Sequence, residues 1–308
     1  MRAVLHALTD ELQRLKSAGV KTVSVTPETV AALRRALGAR ANSAVAASAG
    51  AVALAAPVAA PKPYVPPPMP VRAPAAAPKV AAPALPAPPV VALPDGDKPS
   101  RWAALLALVQ QDPVCRAHVR PGKKLVLGVG DVDAKIMFVG EAPGAEEEVQ
   151  GEPFVGPAGQ LLTKMIGGMG LQRSQVYIGN LMNWRPEMEV VGGGEQFGNR
   201  PPTEEELNYC LPYLRAQIEV VAPALIVALG KTAAQGLLGF RAVKTLGEVR
   251  GRWHEWCGTP LMVTYHPSYI LREATTQKKR MIWEDLLMVM ERAALPISDK
   301  QRRYFLEK

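Results

Sequence analysis

The feature that most constrains the fold is an alternation of short apolar runs and amphipathic segments between residues 101 and 295. Four apolar runs are typical of buried strands, and each precedes a segment with helical periodicity. These runs lie within residues 134–140, 175–180, 223–230 and 259–266. Strands that alternate with helices predict an α/β domain, in which a central parallel four-stranded sheet carries helices on both faces.

Chemically distinctive residues occur where these four strands end. The strand exits read Gly140-Glu141, Asn180, Gly230-Lys231 and His266-Pro267-Ser268. Ligands of such sheets bind beyond the carboxyl ends of the strands. The sequence therefore predicts a functional site at this edge.

The composition divides the chain into four parts. Residues 1–40 predict two short helices, which form either a module that docks another protein or a marginal hairpin without a specific role. Residues 41–98 are rich in alanine and proline, and residues 51–100 hold 15 of the 29 prolines. We interpret 41–98 as a disordered linker, because such a segment cannot build a core. We expect residues 99–296 to form the main domain and residues 297–308 to form a C-terminal tail.

Charge and cysteine content constrain the location and the partners. Residues 1–100 hold 11 Lys/Arg against 5 Asp/Glu, whereas residues 101–308 hold 25 against 23, so the net charge of +8 lies mostly outside the main domain. This charge is therefore weak evidence that the domain binds nucleic acid. An odd count of three cysteines favours a reducing cytosol, and no apolar run is long enough to span a membrane. We expect a cytoplasmic monomer without a membrane partner.

The turn from Gly140 to Gly144 resembles a phosphate-binding loop only superficially. It matches neither GxGxxG nor GxxxxGK[ST], and Pro143 removes an amide donor. Glu146 and Glu148 are interpreted as solvated charges at a helix start. From these residues alone, an ordinary strand-to-helix turn stays an alternative, and a nucleotide-hydrolysing enzyme is disfavoured.

Longer stretches carry a resemblance to a known family. They are VGEAPGAEEEVQGEPFVGPAGQLL, VYIGNLMNWRP, NRPPTEEELNYCLPYLRAQIEVVAPALIVALG and HPSYILR. In order and spacing, over about residues 100–295, they resemble the family-4 branch of the uracil-DNA glycosylase superfamily. The resemblance implies an enzyme that hydrolyses the N-glycosidic bond of uracil in DNA, leaves an abasic site and initiates base excision repair. The alternative is a non-catalytic member of this fold that binds uracil-containing or abasic DNA.

The resemblance implies a uracil-binding set of four residues. Phe154 stacks on the flipped base, as an extruded base requires. Asn180 accepts from uracil N3–H and donates to O4, an order that cytosine reverses. Glu147 lies near C5 and helps to exclude the methyl group of thymine, and Gly140 completes the set.

The resemblance also implies catalytic and DNA-contacting residues. His266 donates to uracil O2 and stabilises the negative charge of the departing base. Glu141 faces the sugar cation, where it acts as a base, an electrostatic partner or an organiser of the pocket. Ser268 and Arg272 face the DNA backbone.

One departure from the family concerns its four-cysteine iron–sulfur cluster. The corresponding positions read Cys115, His118, Trp184 and Cys210, and tryptophan cannot ligate a metal. We expect no metal or cofactor, with packing by Trp184 and the His118 region in place of the cluster. The alternative is a residual iron–sulfur cluster or a zinc ion at Cys115, His118 and Cys210. A second departure is the glycine-rich insert at 187–198.

Overall fold

A computed structural model describes residues 85–188, 195–196 and 198–306 of the chain. The predictions for residues 1–40, for most of the linker and for the middle of the insert lie outside these residues.

The described residues contain one six-stranded sheet. Its strands are β1 (Val129–Gly130), β2 (Ile136–Gly140), β3 (Tyr177–Asn180), β4 (Leu225–Leu229), β5 (Trp253–Trp256) and β6 (Thr259–Thr264). They lie in the order β1-β3-β2-β4-β6-β5, with the four inner strands parallel and the two edge strands antiparallel. The predicted parallel four-stranded core is confirmed. The edge strands were missed because β1 has two residues and β5 buries only Trp256, so neither makes an apolar run.

The helices alternate with the inner strands as the sequence predicts. They are α1 (Lys98–Gln111), α2 (Pro113–Ala117), α3 (Ala145–Gln150), α4 (Pro157–Gly168), α5 (Glu204–Val221), α6 (Lys231–Leu238), α7 (Leu246–Val249), α8 (Pro267–Arg272), α9 (Thr276–Arg292) and α10 (Asp299–Arg302). In the part of the chain that the structure describes, none of them has the length and apolarity to cross a bilayer.

Helices cover both faces of the sheet, which gives two apolar layers. Met137 and Val139 of β2 face a layer formed with α1, α5 and α6, whereas Ile136 and Phe138 face one formed with α4 and α9. This alternation follows from the two-residue period of a strand. Because both faces are covered, every residue of β2 and β4 is buried.

The start of α5 shows how local sequence fixes an element. The Thr203 hydroxyl accepts from Glu206 N at 3.2 Å, and Glu206 Oε2 accepts from Thr203 N at 2.7 Å. Two backbone donors at the helix start are thereby satisfied.

The folded part of the chain extends beyond the predicted boundaries of 99 and 296. Leu85, Val91 and Leu93 lie in the predicted linker but pack against the first apolar layer. In the predicted tail, the Gln301 amide donates to Gly168 O at 2.8 Å, and Tyr304 packs against the second layer. Over its described residues, the linker assignment therefore needs correction: the proline-rich composition hid three apolar anchors.

The register of the sheet brings the four strand exits together. Gly140 lies opposite Asn180, and Leu229 lies opposite Thr264. Gly230 N donates to Thr264 O at 2.9 Å, which ties the last two exits to each other. The sheet thus presents the residues that follow its strands along one edge.

Candidate active site

A cavity of about 660 Å³ opens at this edge of the sheet. Seven predicted site residues line it: Glu141, Glu147, Phe154, Asn180, His266, Ser268 and Arg272. The phenyl ring, the carboxamide and the imidazole therefore surround one common space rather than three separate ones.

Gly140, the eighth predicted site residue, is not itself among the lining residues, but it lies against Asn180 and Phe154, which are. A Cβ atom at Gly140 would come within 2.3 Å of Asn180 Oδ1 and 2.5 Å of two ring carbons of Phe154. Asn180 is 4% exposed, and its Oδ1 atom is buried without a hydrogen-bond partner. Such an orphaned acceptor costs about 1–3 kcal/mol. A ligand with a matching N–H donor would recover that cost.

Phe154 occupies a backbone conformation that bulky residues rarely adopt. Its φ angle is +55°, in the left-handed region. A Cβ atom at Gly159 would come within 1.7 Å of Phe154 O, so the turn needs glycine there. The turn carries the ring to 5.5 Å from the His266 ring, measured between centroids, with 31° between the planes.

The Glu147 carboxylate holds this turn through backbone amides. Its Oε1 accepts from Val155 N at 3.1 Å and from Gly156 N at 3.0 Å, and its Oε2 accepts from Gly144 N at 3.0 Å. The side chain is 7% exposed. Glu147 thus joins the turn that follows β2 to the turn that carries Phe154.

His266 is held as a neutral ring with a defined tautomer. It caps α8, and its Nδ1 accepts from Ser268 N at 3.2 Å and from Ser268 Oγ at 2.9 Å. Burial lowers the pKa of His266 to about 4, and the positive charge of Arg272 adds to the effect. Two donors on Nδ1 place the ring proton on Nε2, which leaves Nε2–H as the donor of this residue.

Ser268 forms a bond within the protein that the sequence analysis did not predict. The sequence analysis assigns this hydroxyl to the DNA backbone, whereas the structure engages it with His266 Nδ1. Arg272 lies at the end of α8, with its side chain exposed at the cavity.

Glu141 lines the cavity beside the start of α6. Burial raises the pKa of this carboxyl above its ordinary value, and a hydrogen bond from Thr232 opposes the shift. Thr232 and Lys231 also line the cavity. Sequence reasoning noted Lys231 only as a strand exit and missed Thr232, although this residue directly follows that exit.

The structure contradicts the reading of Glu148 as a solvated charge, whereas Glu146 is exposed as expected. Glu148 is 4% exposed, forms an ion pair with Arg120 and accepts from Arg185 NH1 at 2.8 Å. Arg185, at 5% exposure, also donates to Asn199 Oδ1 at 2.8 Å. This buried pair anchors Asn199, a cavity residue at the end of the insert that the sequence analysis did not predict.

Two tyrosines and a leucine near His266 were also missed. Tyr265 and Tyr269 line the cavity, and their rings stack with centroids 4.5 Å apart. Leu271 is 51% exposed, although Ile270 before it is buried. Tyr265 precedes the His266 cap of α8 and Tyr269 lies in the first turn of that helix, so helical periodicity alone gives no sign of the stacked pair.

Comparison with known proteins decides the family. The model of the uracil DNA glycosylase superfamily matches residues 127–287, which is more than half of the chain. The chain belongs to the uracil-DNA glycosylase superfamily. It is 39% identical to the type-4 uracil-DNA glycosylase of Thermotoga maritima over 58% of this chain and 87% of that protein.

Within the superfamily, the similarity to type-4 proteins is stronger. The type-4 uracil-DNA glycosylase of Archaeoglobus fulgidus is 41% identical over 47% of this chain and 71% of that protein. The type-5 uracil-DNA glycosylase of Pyrobaculum aerophilum is 30% identical over 54% of this chain and 73% of that protein. The resemblance to the family-4 branch is thereby confirmed.

The four positions that the resemblance assigns to cluster ligands lie at the first apolar layer, which contains Cys115, Trp184 and Cys210. The His118 ring stacks on Trp184, with centroids 4.9 Å apart and 8° between the planes, and Trp184 is 1% exposed. Cys115 and Cys210 are fully buried, and burial raises the pKa of both thiols. A [4Fe–4S] cluster takes four ligands of this kind from the protein, and the indole of Trp184 has no atom that can ligate iron, so these four side chains do not fit that ligand set.

Asp112 accepts hydrogen bonds from three residues at or next to these positions. Its Oδ1 accepts from Cys115 N at 2.7 Å, and its Oδ2 accepts from Tyr209 OH at 2.9 Å and from Tyr213 OH at 2.8 Å. In the described ranges, no group of three or more His, Cys, Asp or Glu residues is placed to hold a metal ion.

Proposed function

We propose that this chain is a uracil-DNA glycosylase, which hydrolyses the bond between uracil and deoxyribose in DNA and so initiates base excision repair. The carrying observation is that Phe154, Asn180 and His266 line one cavity. An extruded pyrimidine needs a stacking face, a reader of its edge and a donor for its departing charge, and these three side chains provide them.

Asn180 reads the Watson–Crick edge of the base. Its orphaned Oδ1 accepts from uracil N3–H, and its amide nitrogen donates to O4. Cytosine presents an acceptor at N3 and a donor at C4, so both contacts become repulsive. Glycine is required at position 140, because any side chain there would displace both the Asn180 amide and the Phe154 ring.

Glu147 excludes thymine because its side chain is held rigidly where the C5 methyl group of that base would lie. This carboxylate lines the cavity, and three backbone amides fix it in place. A wall held in this way cannot yield to the extra methyl group at C5.

His266 stabilises the departing base. As the bond to C1′ breaks, negative charge builds on uracil, and Nε2–H donates to O2. The ring is neutral near pH 7, because its pKa lies at about 4. A positioned donor of this kind lowers a barrier by about 3–4 kcal/mol.

Glu141 stabilises the sugar. In its ionised form the carboxylate faces the positive charge that develops at C1′ and orients the attacking water. Thr232, at the start of α6, lines the cavity together with this carboxylate. Its raised pKa favours proton transfer from water at neutral pH.

Within the segment 266–272, Arg272 and Leu271 contact the DNA, and Ser268 supports His266. Ser268 orients His266, and Arg272 at the cavity rim contacts a phosphate. Leu271 projects an apolar side chain next to Arg272, which suits insertion into the gap that an extruded base leaves.

We propose that this chemistry uses no metal or cofactor, with the His118–Trp184 stack in place of the cluster. A double variant, His118→Cys with Trp184→Cys, restores the ligand set of the family and should gain iron-dependent visible absorbance on reconstitution. The wild-type protein should not. Stoichiometric iron or zinc in the wild type would overturn this part of the proposal.

We further propose a cytoplasmic location and a monomeric enzyme whose partner is uracil-containing DNA. The three cysteines Cys115, Cys210 and Cys257 are free thiols, which suits a reducing compartment. Docking of another protein by residues 1–40 stays a prediction.

The direct test uses a labelled oligonucleotide with one uracil, followed by alkali to cleave abasic sites. The wild type should yield strand breaks. His266→Ala should be slower by about 10²–10³-fold with DNA affinity largely retained. His254→Ala is the matched control. His254 lies on the edge strand β5, is not among the residues that line the cavity, and its Nε2 donates to Val249 O at 2.8 Å. Binding without strand breaks in the wild type would instead support the non-catalytic alternative.

A further inference from the structure

A buried ion pair outside the cavity contacts the segment that carries His266. Asp285 of α9 is 3% exposed, and both of its oxygens accept from Arg250 NH1 at 2.9 Å. Asp285 Oδ2 also accepts from Thr264 Oγ1 at 2.6 Å. Thr264 is the last residue of β6 and lies two positions before His266.

The pair acts on the same segment through a column of stacked groups. The Arg250 guanidinium lies 5.1 Å from the centroid of the Tyr265 ring, and Tyr265 stacks on Tyr269 at 4.5 Å. The Lys278 amine closes the far end, 4.7 Å from the Tyr269 ring. Tyr265 and Tyr269 flank His266 in the sequence, so the column fixes the chain on both sides of the imidazole.

Stability alone gives a weak reason for such a pair. Replacing a buried ion pair by apolar side chains of similar volume is often neutral or stabilising. Keeping this carboxylate ionised has a cost, since burial raises the pKa of Asp285 to about 6 despite the bonds from Thr264 and Arg250. The Arg250–Asp285 ion pair instead fixes the orientation of the backbone at the end of β6, through the bond from Thr264 to Asp285.

We infer that Arg250 and Asp285 are positioning residues for His266, which act through Thr264 and Tyr265 and touch neither base nor sugar. This inference rests on the proposed function. A displacement of a reacting group by about 1 Å can cost about 10²-fold in rate. Loss of the pair should therefore reduce the excision step and leave DNA binding intact.

The test compares Asp285→Asn with Glu284→Gln in single-turnover excision of uracil. Glu284 is the exposed neighbour on the same helix, where it accepts from Arg280 Nε at 2.8 Å. Asp285→Asn should slow excision by about 10–100-fold with DNA affinity unchanged, and Glu284→Gln should match the wild type.

A double variant separates positioning from general damage. If Asp285 acts through His266, Asp285→Asn should cost little further in a His266→Ala background, because coupled residues are non-additive. Full additivity would overturn the inference. If Asp285→Asn fails to fold, Thr264→Val decides: it keeps the ion pair but removes the bond to the strand, and wild-type rates would refute the positioning role.

The outcomes also separate this inference from the function on which it rests. A wild-type protein without uracil excision overturns both. Excision that is sensitive to His266→Ala but equal in Asp285→Asn and Glu284→Gln overturns the positioning role alone.

Discussion

Glu147 holds the backbone that immediately follows Phe154. Its Oε1 accepts from the amides of Val155 and Gly156, at 3.1 and 3.0 Å, while Phe154 keeps a φ angle of +55°. Left-handed backbone at a bulky residue costs about 1–3 kcal/mol, so the surroundings must impose it. A carboxylate bonded to consecutive amides imposes it directly.

Replacement of Glu147 should therefore impair excision through the Phe154 turn. We expect Glu147→Ala to slow single-turnover uracil excision by about 10–100-fold, because charge-assisted hydrogen bonds contribute about 1.5–3 kcal/mol each. Glu147→Gln should be intermediate, since its amide oxygen still accepts from two donors. Glu146→Ala, at the exposed neighbour, is the control, and equal rates for the two alanine variants would contradict this role.

A methyl group at Gly140 should inactivate the enzyme without unfolding it. A Cβ atom there would meet both Asn180 Oδ1 and the Phe154 ring within 2.5 Å, so both must move. We expect Gly140→Ala to lose at least about 100-fold in excision rate. Gly167→Ala is the matched control, because a Cβ at Gly167 meets no atom within 4 Å. Near-wild-type activity of Gly140→Ala would contradict the requirement for glycine between Asn180 and Phe154.

The buried neutral state of His266 predicts how stability depends on pH. The pKa falls from 6.5 to about 4 on folding, so between these values the unfolded chain binds more protons, and stability decreases as the pH is lowered through this window. His266→Gln lacks this dependence. From pH 7 to pH 5, the wild type should lose on the order of 2 kcal/mol relative to the variant.

Chemical denaturation of both proteins at several pH values measures this difference. The comparison is needed because burial raises the pKa of Asp285 to about 6, which changes stability in the opposite sense over a similar range. A constant gap between wild type and variant from pH 7 to pH 5 would contradict a buried neutral imidazole.

Leu271 should matter more for duplex than for single-stranded DNA. In a duplex, extrusion of uracil leaves a gap that an apolar side chain can fill, whereas a single strand has no partner stack to support. Leu271→Ala should reduce excision from duplex by about 10-fold and from single strands by much less. Leu108→Ala, at an exposed leucine of α1, is the control. An equal loss on both substrates would argue against insertion.

The central sheet and the strand exits could be predicted from local patterns, whereas Phe154, Glu147 and Arg272 were assigned to the site through the resemblance to the family. Apolar runs indicated the inner strands, and polar residues at their exits converge once the strands are parallel. The edge strands lack such a run. Glu148 was misread because nothing near it in sequence indicates Arg185, which meets it only in the folded chain.

The other differences come from contacts that no local sequence pattern indicates. The bond of Asp285 to Thr264 joins α9 to β6, and a charged residue within a helix gives no sign of such a partner. The bond of Ser268 to the capping imidazole depends on how α8 begins, which the sequence alone does not show. Leu85, Val91 and Leu93 were hidden by the prolines around them.

The most direct test of the account is the base preference of Asn180→Asp, measured as the ratio of uracil to cytosine excision from otherwise identical duplexes. If the Asn180 amide reads the base, a carboxyl group in its place should relax discrimination and reduce this ratio by at least about 10-fold, the equivalent of 1.4 kcal/mol. Asn180→Ala should slow excision without a gain on cytosine. An unchanged ratio in Asn180→Asp would contradict the claim that this cavity reads an extruded uracil.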